Sequence, residues 1–191
     1  MPPSPPPWWP AVVVLASSSP RRLDLLRSIG VEPEVRPADI DETPLPGEDP
    51  ASYVSRLAQG KAAAVAKPGE VVVAADTTVV IDGRIIGKPR GRAEALESLR
   101  TLSGRTHTVY TGVAVLSAAG VAGVTVTSEV TFVKISADFL DWYTGTAEPY
   151  DKAGGYGLQG AGAMLVAGVH GSVSNVLGLP LAELNDLMQT L

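Results

Sequence analysis

Cysteine is absent from this 191-residue sequence, and His107 and His170 are its only two histidines. Without cysteine there are no disulfides, thiolate metal sites or cysteine nucleophiles. Two histidines exclude a zinc site with three histidine ligands, and a serine–histidine–aspartate triad would have to use one of them. The chemistry must therefore rest on carboxylates, lysines, arginines and hydroxyl groups, and we expect structural roles for both histidines.

Long apolar runs are also missing, since none reaches the ~18 residues that a membrane span needs. The opening MPPSPPPWWP lacks the basic start and apolar segment of a secretory signal, so we expect a cytoplasmic protein. A formal net charge of -5 and a pI near 5.0 argue against binding to nucleic acid or to an anionic membrane. A polyanionic ligand would have to meet a local basic pocket.

The composition suits one globular domain, with or without two lobes, because 45% of the residues are hydrophobic. The proline-rich residues 1–10 predict an extended, loosely ordered tail, with docking of Trp8 and Trp9 on the body or on a partner as the alternative. Residues 11–191 are expected to form a single domain.

Apolar runs alternate with helical patterns along the chain, which predicts an α/β fold. Asp82-Gly83 predicts a type I′ hairpin turn. The predicted strands are 12–16, 71–81, 84–87, 107–116, 121–133 and 164–169, and the predicted helices are 20–30, 49–66, 91–103, 136–145 and 180–190.

The segment SSSPRR, residues 17–22, places two cations at the start of a helix, where positive charge is unfavourable unless an anion binds. With Ser19 as N-cap and Pro20 at the first position, Arg21 and Arg22 fall in the first helical turn, which already carries partial positive charge. A strand, a serine-rich loop and a helix N-terminus with arginines together form a reasonable phosphate cradle. The alternative is a capped surface helix whose arginines point to water.

Lys61 lies on an otherwise apolar helical face, at the spacing of Val54, Leu57, Ala58 and Val65. One interpretation is that its side chain snorkels to solvent. The other is that it points into a cleft and neutralises phosphate charge.

Asp76 interrupts a strand pattern between VVVAA and TTVVI. A buried carboxylate needs a cation or a metal, unless the residue marks a strand end that reaches a pocket. A carboxylate at a strand end is where an α/β enzyme would hold a metal or a general base. Lys88, in the sequence GKP after the hairpin, would return to the same cleft.

The segment EPYDKAGGYGLQG, residues 148–160, combines two carboxylates and a lysine with a run of glycines. The glycines indicate backbone that approaches a ligand closely, and Gln159 can recognise a base edge. A flexible surface loop is the alternative. The sequence contains neither a Walker A motif nor a GxGxxG fingerprint, so nothing in it supports the usual ATPase and dinucleotide-binding classes.

Taken together, these segments resemble the Maf family of nucleotide pyrophosphatases from about residue 12 to residue 188. The resemblance implies a mixed, twisted β-sheet flanked by helices, in a Maf/ITPase-like α/β fold with two lobes and a central cleft. It also implies cleavage between the α- and β-phosphates with a divalent cation, Mg²⁺ or Mn²⁺. The matching segments are LASSSPRRLDLL, DIDE, RLAQGKA, AADTTVV with IGKP, LSGRTHTVYTGVAV, EPYDKAGGYGLQG and GSVSNVLGLPL.

By position, the resemblance assigns Asp76 as the general base or a metal-linked carboxylate, and Glu42 as a second acidic residue at the metal. Arg21, Thr77 and Gln159 match the branch that acts on dTTP and UTP. The residues implied to bind substrate are Ser17, Ser19, Arg21, Arg22, Lys61, Thr77, Lys88 and Gln159.

Two other functions stay open at this point: hydrolysis of modified nucleotides such as 7-methyl-GTP, and a nucleotide-binding role in regulating cell division without catalysis. The expected partner is a nucleoside triphosphate, with no nucleic acid and no membrane, and a homodimer is suggested by the resemblance alone.

Overall fold

The computed structural model describes residues 3–190, which form a mixed α/β fold as the sequence predicts. Within these residues, seven strands join one sheet in the order β2-β1-β3-β5-β6-β7, and β4 pairs with β3. The strands are β1 (Val14–Leu15), β2 (Glu34–Val35), β3 (Val72–Ile81), β4 (Arg84–Ile86), β5 (Thr106–Ser117), β6 (Gly120–Phe132) and β7 (Val166–His170). The helices are α1 (Pro20–Ser28), α2 (Pro50–Val65), α3 (Arg92–Leu102), α4 (Ala137–Tyr143), α5 (Val173–Val176) and α6 (Leu181–Met188).

The predicted hairpin turn is confirmed at Asp82 and Gly83, whose φ angles are 51° and 72°. Positive φ at both central residues is what a type I′ turn requires, and β3 and β4 pair antiparallel on either side of it. The sequence missed β2 and α5, because elements of two and four residues are too short to show periodicity.

The described residues divide into two compact units, in agreement with the two predicted lobes. The first unit contains residues 3–76, 111–126 and 178–190, and the second contains Thr77–Tyr110 and Thr127–Leu177. The chain crosses from one unit to the other inside β3, β5 and β6 and again between Leu177 and Gly178, so neither unit is a continuous segment. The predicted cleft stays a prediction. No helix among residues 3–190 is both long enough and apolar enough to cross a bilayer.

In the first unit, β1 pairs in parallel with β2 and β3, and α2 packs closely on the sheet. The lack of a side chain at Gly112 of β5 makes this close packing possible. A Cβ atom added there would lie only 2.4 Å from the carbonyl oxygen of Val54 in α2. The resulting approach brings the polar side chains of α2 near β3. The core of this region consists of Val14, Ala16, Ala58, Ala62, Val72, Ala74 and Ala114.

The proline-rich opening differs from the loosely ordered tail that its composition predicts, although Met1 and Pro2 lie outside the described residues. Trp9 is 6% exposed, and the indole N–H groups of Trp8 and Trp9 donate to Asn185 Oδ1 at 3.0 and 3.3 Å. A tryptophan buries roughly 150–250 Å² on packing, and the free energy of this burial offsets the conformational entropy that the segment loses when it is ordered. Because its prolines already restrict the backbone, that entropy loss is small. Residues 3–10 are therefore packed against the rest of the first unit.

In the second unit, His107 has a structural position, as expected. It is 2% exposed, its Nε2 lies 2.7 Å from the hydroxyl of Tyr156, and its ring meets Phe132 edge to face. Burial lowers the pKa of His107 from 6.5 to about 4, because the charged imidazolium is poorly solvated there. The ring is therefore neutral in the folded protein at neutral pH.

We predict that His107 makes the protein less stable in mild acid. Above pH 6.5 the ring is neutral in both states, whereas between pH 6.5 and 4 only the unfolded chain binds the proton. The resulting loss of unfolding free energy is about 3 kcal/mol across this window. Denaturant unfolding of His107→Gln at several pH values is expected to show a flatter slope than the wild type, whereas the matched variant of exposed His170, His170→Gln, retains the wild-type slope. Equal slopes in all three proteins would contradict the assignment.

Candidate active site

Three segments of the first unit bring the predicted site residues together. Because β1 and β3 are parallel, with Leu15 opposite Val73, the serine loop after β1 continues beside the part of β3 that contains Asp76. Helix α2, packed on this sheet, contributes Lys61. The carboxyl end of a parallel strand is where α/β proteins commonly bind ligands.

Lys61 is buried and forms ion pairs with two carboxylates. Its side chain is 9% exposed, and its Nζ lies 2.6 Å from Asp76 Oδ1 and 2.6 Å from Glu42 Oε1. The interpretation in which Lys61 snorkels to solvent is therefore wrong. Its ammonium group is the cation that the buried carboxylate of Asp76 requires.

Asp76 lies in the interior of β3, so the alternative that it marks a strand end is also wrong. Its side chain is 10% exposed, and it sits at the fifth position of the ten-residue strand Val72–Ile81. The strand can contain this charge because Lys61 is at hydrogen-bonding distance and contributes a charge-assisted bond.

Arg22 turns inward from the first turn of α1 and does not point simply to water. Its Nη1 donates to Ser17 Oγ at 3.0 Å, and its Nε donates to the carbonyl oxygen of Gly178 at 2.8 Å. Burial lowers the pKa of Arg22, and the nearby carboxylate of Asp76 opposes this shift. The surface-helix alternative is thus wrong for Arg22, whose guanidinium interacts with the charges of Asp76 and Glu42.

The helix start itself is as predicted, except that Ser19 makes no side-chain cap bond. Ser19 is the N-cap of α1, but its own backbone N–H donates to Ser17 Oγ at 3.2 Å. Ser17, which is 7% exposed, is therefore the serine that organises the loop, since it also accepts from Arg22. Arg21 is half-buried in the same turn.

Glu42 lies on the long loop before α2, and α2 holds that loop in place. The hydroxyl of Tyr53 donates to the backbone oxygen of Glu42 at 2.9 Å, and Arg56 donates to the backbone oxygen of Thr43 at 3.2 Å and to the carboxylate of Glu48. Burial raises the pKa of Tyr53 to about 12, and Asp76 and Glu42 add to the shift. Tyr53 was not predictable from the sequence, because its hydrogen-bond partner is a backbone atom.

Three of the predicted substrate-binding residues belong to the second unit. Thr77 directly follows Asp76 on β3 and is half-buried, whereas Lys88 and Gln159 are exposed on their own unit. The structure therefore brings together the first-unit residues of the predicted set, and the roles of these three stay predictions.

The glycine-rich segment of the second unit is organised and not a loose surface loop. The carboxylate of Glu148 accepts from the Tyr143 hydroxyl at 3.0 Å and from the amides of Ala161 and Gly162 at 2.9 Å each. Glu148 thereby closes the segment that carries Gln159.

The carboxylates of Asp76 and Glu42 suit a divalent cation that also binds the ligand. Among residues 3–190, no cluster of three or more histidine, aspartate or glutamate side chains is placed to hold a metal. Asp76 and Glu42, however, lie close together, because one oxygen of each carboxylate pairs with the ammonium of Lys61. A pair of carboxylate oxygens fits Mg²⁺ or Mn²⁺, which commonly complete their coordination with substrate phosphates and water.

Comparison with known proteins agrees with these features. The family model described as "Maf-like protein" matches residues 12–191. A dTTP/UTP pyrophosphatase of Anaeromyxobacter dehalogenans strain 2CP-C is 53% identical over 175 residues, covering 90% of this chain and 89% of the relative. A dTTP/UTP pyrophosphatase of Myxococcus xanthus is 51% identical over 173 residues, covering 90% and 88%.

Among solved structures, a nucleoside-triphosphatase described as a dITP/XTP pyrophosphatase from Mycobacterium abscessus is 16% identical, with a TM-score of 0.42 and coverage of 66% of this chain and 76% of the other. This likeness is too weak to add to the description of the fold. The sequence relationships are decisive, because they extend over nearly the whole chain. The chain belongs to the Maf family.

Proposed function

We propose that this chain is a nucleoside triphosphate pyrophosphatase that hydrolyses dTTP and UTP to the nucleoside monophosphate and pyrophosphate. The observation that carries the proposal is the buried ammonium of Lys61, held between Asp76 and Glu42, with the guanidinium of Arg22 oriented nearby. Cations and carboxylates concentrated at one place are what phosphoryl transfer requires. The names of the similar proteins, dTTP/UTP pyrophosphatase, support the substrate assignment.

The cations bind the triphosphate in this proposal. Arg22 presents a planar fork of donors to phosphate oxygens, and the adjacent N-terminal turn of α1 adds backbone N–H groups. Ser17 and Ser19 shape the loop at that turn, and Lys61 reaches the same region from α2. Arg21 and Lys88 are assigned to the same task by their positions in the family motifs.

The four charged side chains at this site do not by themselves favour the binding of a polyanion. Lys61 and Arg22 contribute two formal positive charges and Asp76 and Glu42 two negative ones, so the four groups sum to zero. Held by Asp76 and Glu42, Mg²⁺ or Mn²⁺ would supply the positive charge that stabilises the phosphate oxygens as the bond breaks. We therefore expect activity to require a divalent cation.

Asp76 is the general base in this mechanism. Its Oδ1 accepts the bond from Lys61, so we assign Oδ2 to take the proton from the attacking water. The water oxygen forms a bond to the α-phosphorus, and the bond from that phosphorus to the bridging oxygen breaks. Lys61 and Arg22 offset the negative charge that collects on the departing pyrophosphate.

The position of attack is tested by hydrolysing dTTP in water enriched in ¹⁸O. Attack at the α-phosphorus places one label in the monophosphate and none in pyrophosphate, as mass spectrometry of the products would show. Label found in pyrophosphate would mean attack at the β-phosphorus and would contradict the mechanism. A reaction in unlabelled water is the control.

Gln159 is proposed to recognise the base, because an amide both donates and accepts hydrogen bonds. Gln159→Glu removes the donor while keeping the size, so we expect the ratio of kcat/KM between UTP and CTP to change at least about tenfold, the effect of one unpaired polar group. Inhibition by inorganic tripolyphosphate is expected to stay within about twofold, since phosphate contacts are unaltered. Exposed Gln189 provides the matched variant Gln189→Glu, and an unaltered substrate ranking in Gln159→Glu would remove Gln159 from base recognition.

A further inference from the structure

The N-terminal residues 3–10 precede the part of the chain that the family model matches, which begins at residue 12. They are nevertheless hydrogen-bonded to α6. Trp9 is buried, and Asn185 Oδ1 accepts one bond from each indole of Trp8 and Trp9. An amide oxygen has two lone pairs, so both bonds can form together. A buried ring and two directional bonds thus attach the segment to one side chain of α6.

The same segment packs against the C-terminal end of α1. Gly30 follows this helix with a φ of 81°, and a Cβ added there would lie 2.0 Å from the carbonyl oxygen of Pro3. No side chain fits in this space, so glycine both ends the helix and leaves room for the incoming chain. Residues 3–10 therefore contact two elements, α1 at one end and α6 at the other.

A bond from α1 to the loop that leads into α6 helps to orient Arg22. Arg22 belongs to the first turn of α1, and its Nε donates to the carbonyl oxygen of Gly178 at 2.8 Å. Gly178 lies just before α6, which begins at Leu181. A shift of α1 relative to α6 would lengthen this bond and turn the guanidinium, because hydrogen bonds weaken quickly with distance and angle.

We propose that residues 3–10 are a strap that ties the C-terminal end of α1 to α6 and thereby fixes the Arg22 guanidinium for binding substrate phosphates. Trp9 and Asn185 are positioning residues that act through Arg22. The inference rests on the proposed function, because it assumes that Arg22 binds phosphate. It concerns a segment outside the region that the family model matches.

The experiment measures the dissociation constant of inorganic tripolyphosphate with Mg²⁺ by calorimetry, well below the unfolding temperature. Asn185→Leu removes the shared acceptor at similar volume and is made in the wild-type and Arg22→Ala backgrounds. We expect about fivefold weaker binding from Asn185→Leu in the wild type and no further weakening in Arg22→Ala, since residues that act through one another are not additive. Exposed Asp186 gives the control variant Asp186→Leu, which is expected to bind like the wild type.

The outcomes separate the strap from simple stabilisation. A lower melting temperature with unchanged affinity in Asn185→Leu would mean that the segment only stabilises the fold, and would overturn the inference. Equal weakening in both backgrounds would also overturn it, because the effect would not pass through Arg22. If Arg22→Ala itself binds like the wild type, the phosphate role in the proposed function fails first. Trp9→Phe, which removes one N–H and keeps a ring, provides the same test if Asn185→Leu does not fold.

Discussion

Asp76→Asn is expected to lower kcat for dTTP hydrolysis by about 10³-fold, within the range that a positioned general base contributes. The amide has nearly the same shape as the carboxylate and can still accept a hydrogen bond from Lys61, which Asp76 Oδ1 accepts at 2.6 Å. It cannot take a proton from water. Binding of a nucleoside triphosphate is therefore expected to persist, with a dissociation constant within about tenfold of the wild-type value.

Steady-state kinetics and calorimetry on the same preparation separate these two effects. Asp82→Asn is the matched control, because Asp82 is exposed in the hairpin turn and its positive φ of 51° suits asparagine. We expect its kcat to equal that of the wild type. Unchanged turnover in Asp76→Asn would remove Asp76 from the mechanism, and a loss of binding equal to the loss of rate would make it a substrate-binding residue.

Lys61→Met is expected to reduce kcat/KM for dTTP by about 10²–10³-fold, because one charge-stabilising contact in a desolvated site is worth that much. Methionine keeps the unbranched apolar stem on α2 but leaves the carboxylate of Asp76 buried without its cation. Removing one partner of a buried pair costs about 3 kcal/mol of folding stability. The variant is therefore expected to lose both activity and resistance to denaturant.

Lys67→Met controls for the loss of charge, because Lys67 is exposed just beyond the same helix. Kinetic assays at several dTTP concentrations and urea unfolding of both variants give the comparison. An Lys61→Met protein that is destabilised but keeps its wild-type kcat/KM would show that Lys61 serves the fold alone. Wild-type stability in this variant would contradict the burial of the pair.

The elements of the site were predictable where a charge interrupts an apolar pattern. Lys61 stands out on a helical face of Val54, Leu57 and Ala58, and Asp76 stands out between valine and alanine runs. Such positions are costly unless a partner is present, which is why both signalled a site. Their separation of 15 residues gave no information about the pairing itself, which depends on how closely α2 packs on the sheet.

The partners of Arg22 and of the N-terminal segment were not predictable in the same way. Arg22 is oriented by a backbone oxygen 156 residues away, and a backbone acceptor leaves no trace in the pattern of side chains. The proline-rich opening predicted a loose tail because composition reports only local preferences. Its packing depends on Asn185, 176 residues from Trp9 along the chain.

Fold class and hairpin geometry followed from the sequence with less ambiguity, because local chemistry determines them. Asp49, for example, accepts from the backbone N–H groups of Ala51 and Ser52 at the start of α2, and Pro50 occupies the first turn as predicted. The cytoplasmic location, the homodimer and the absence of nucleic-acid binding stay predictions.

Pyrophosphate release from dTTP, UTP, CTP, GTP and 7-methyl-GTP, measured with Mg²⁺ and with a chelator, decides whether this chain hydrolyses dTTP and UTP. We predict metal-dependent release from dTTP and UTP at rates at least about tenfold above the others, since a site that reads polar groups on the base discriminates by that much or more. Preferred release from 7-methyl-GTP would replace the substrate assignment with that of a modified-nucleotide pyrophosphatase. Nucleotide binding without release from any of the five would contradict catalysis and indicate a nucleotide-binding regulator.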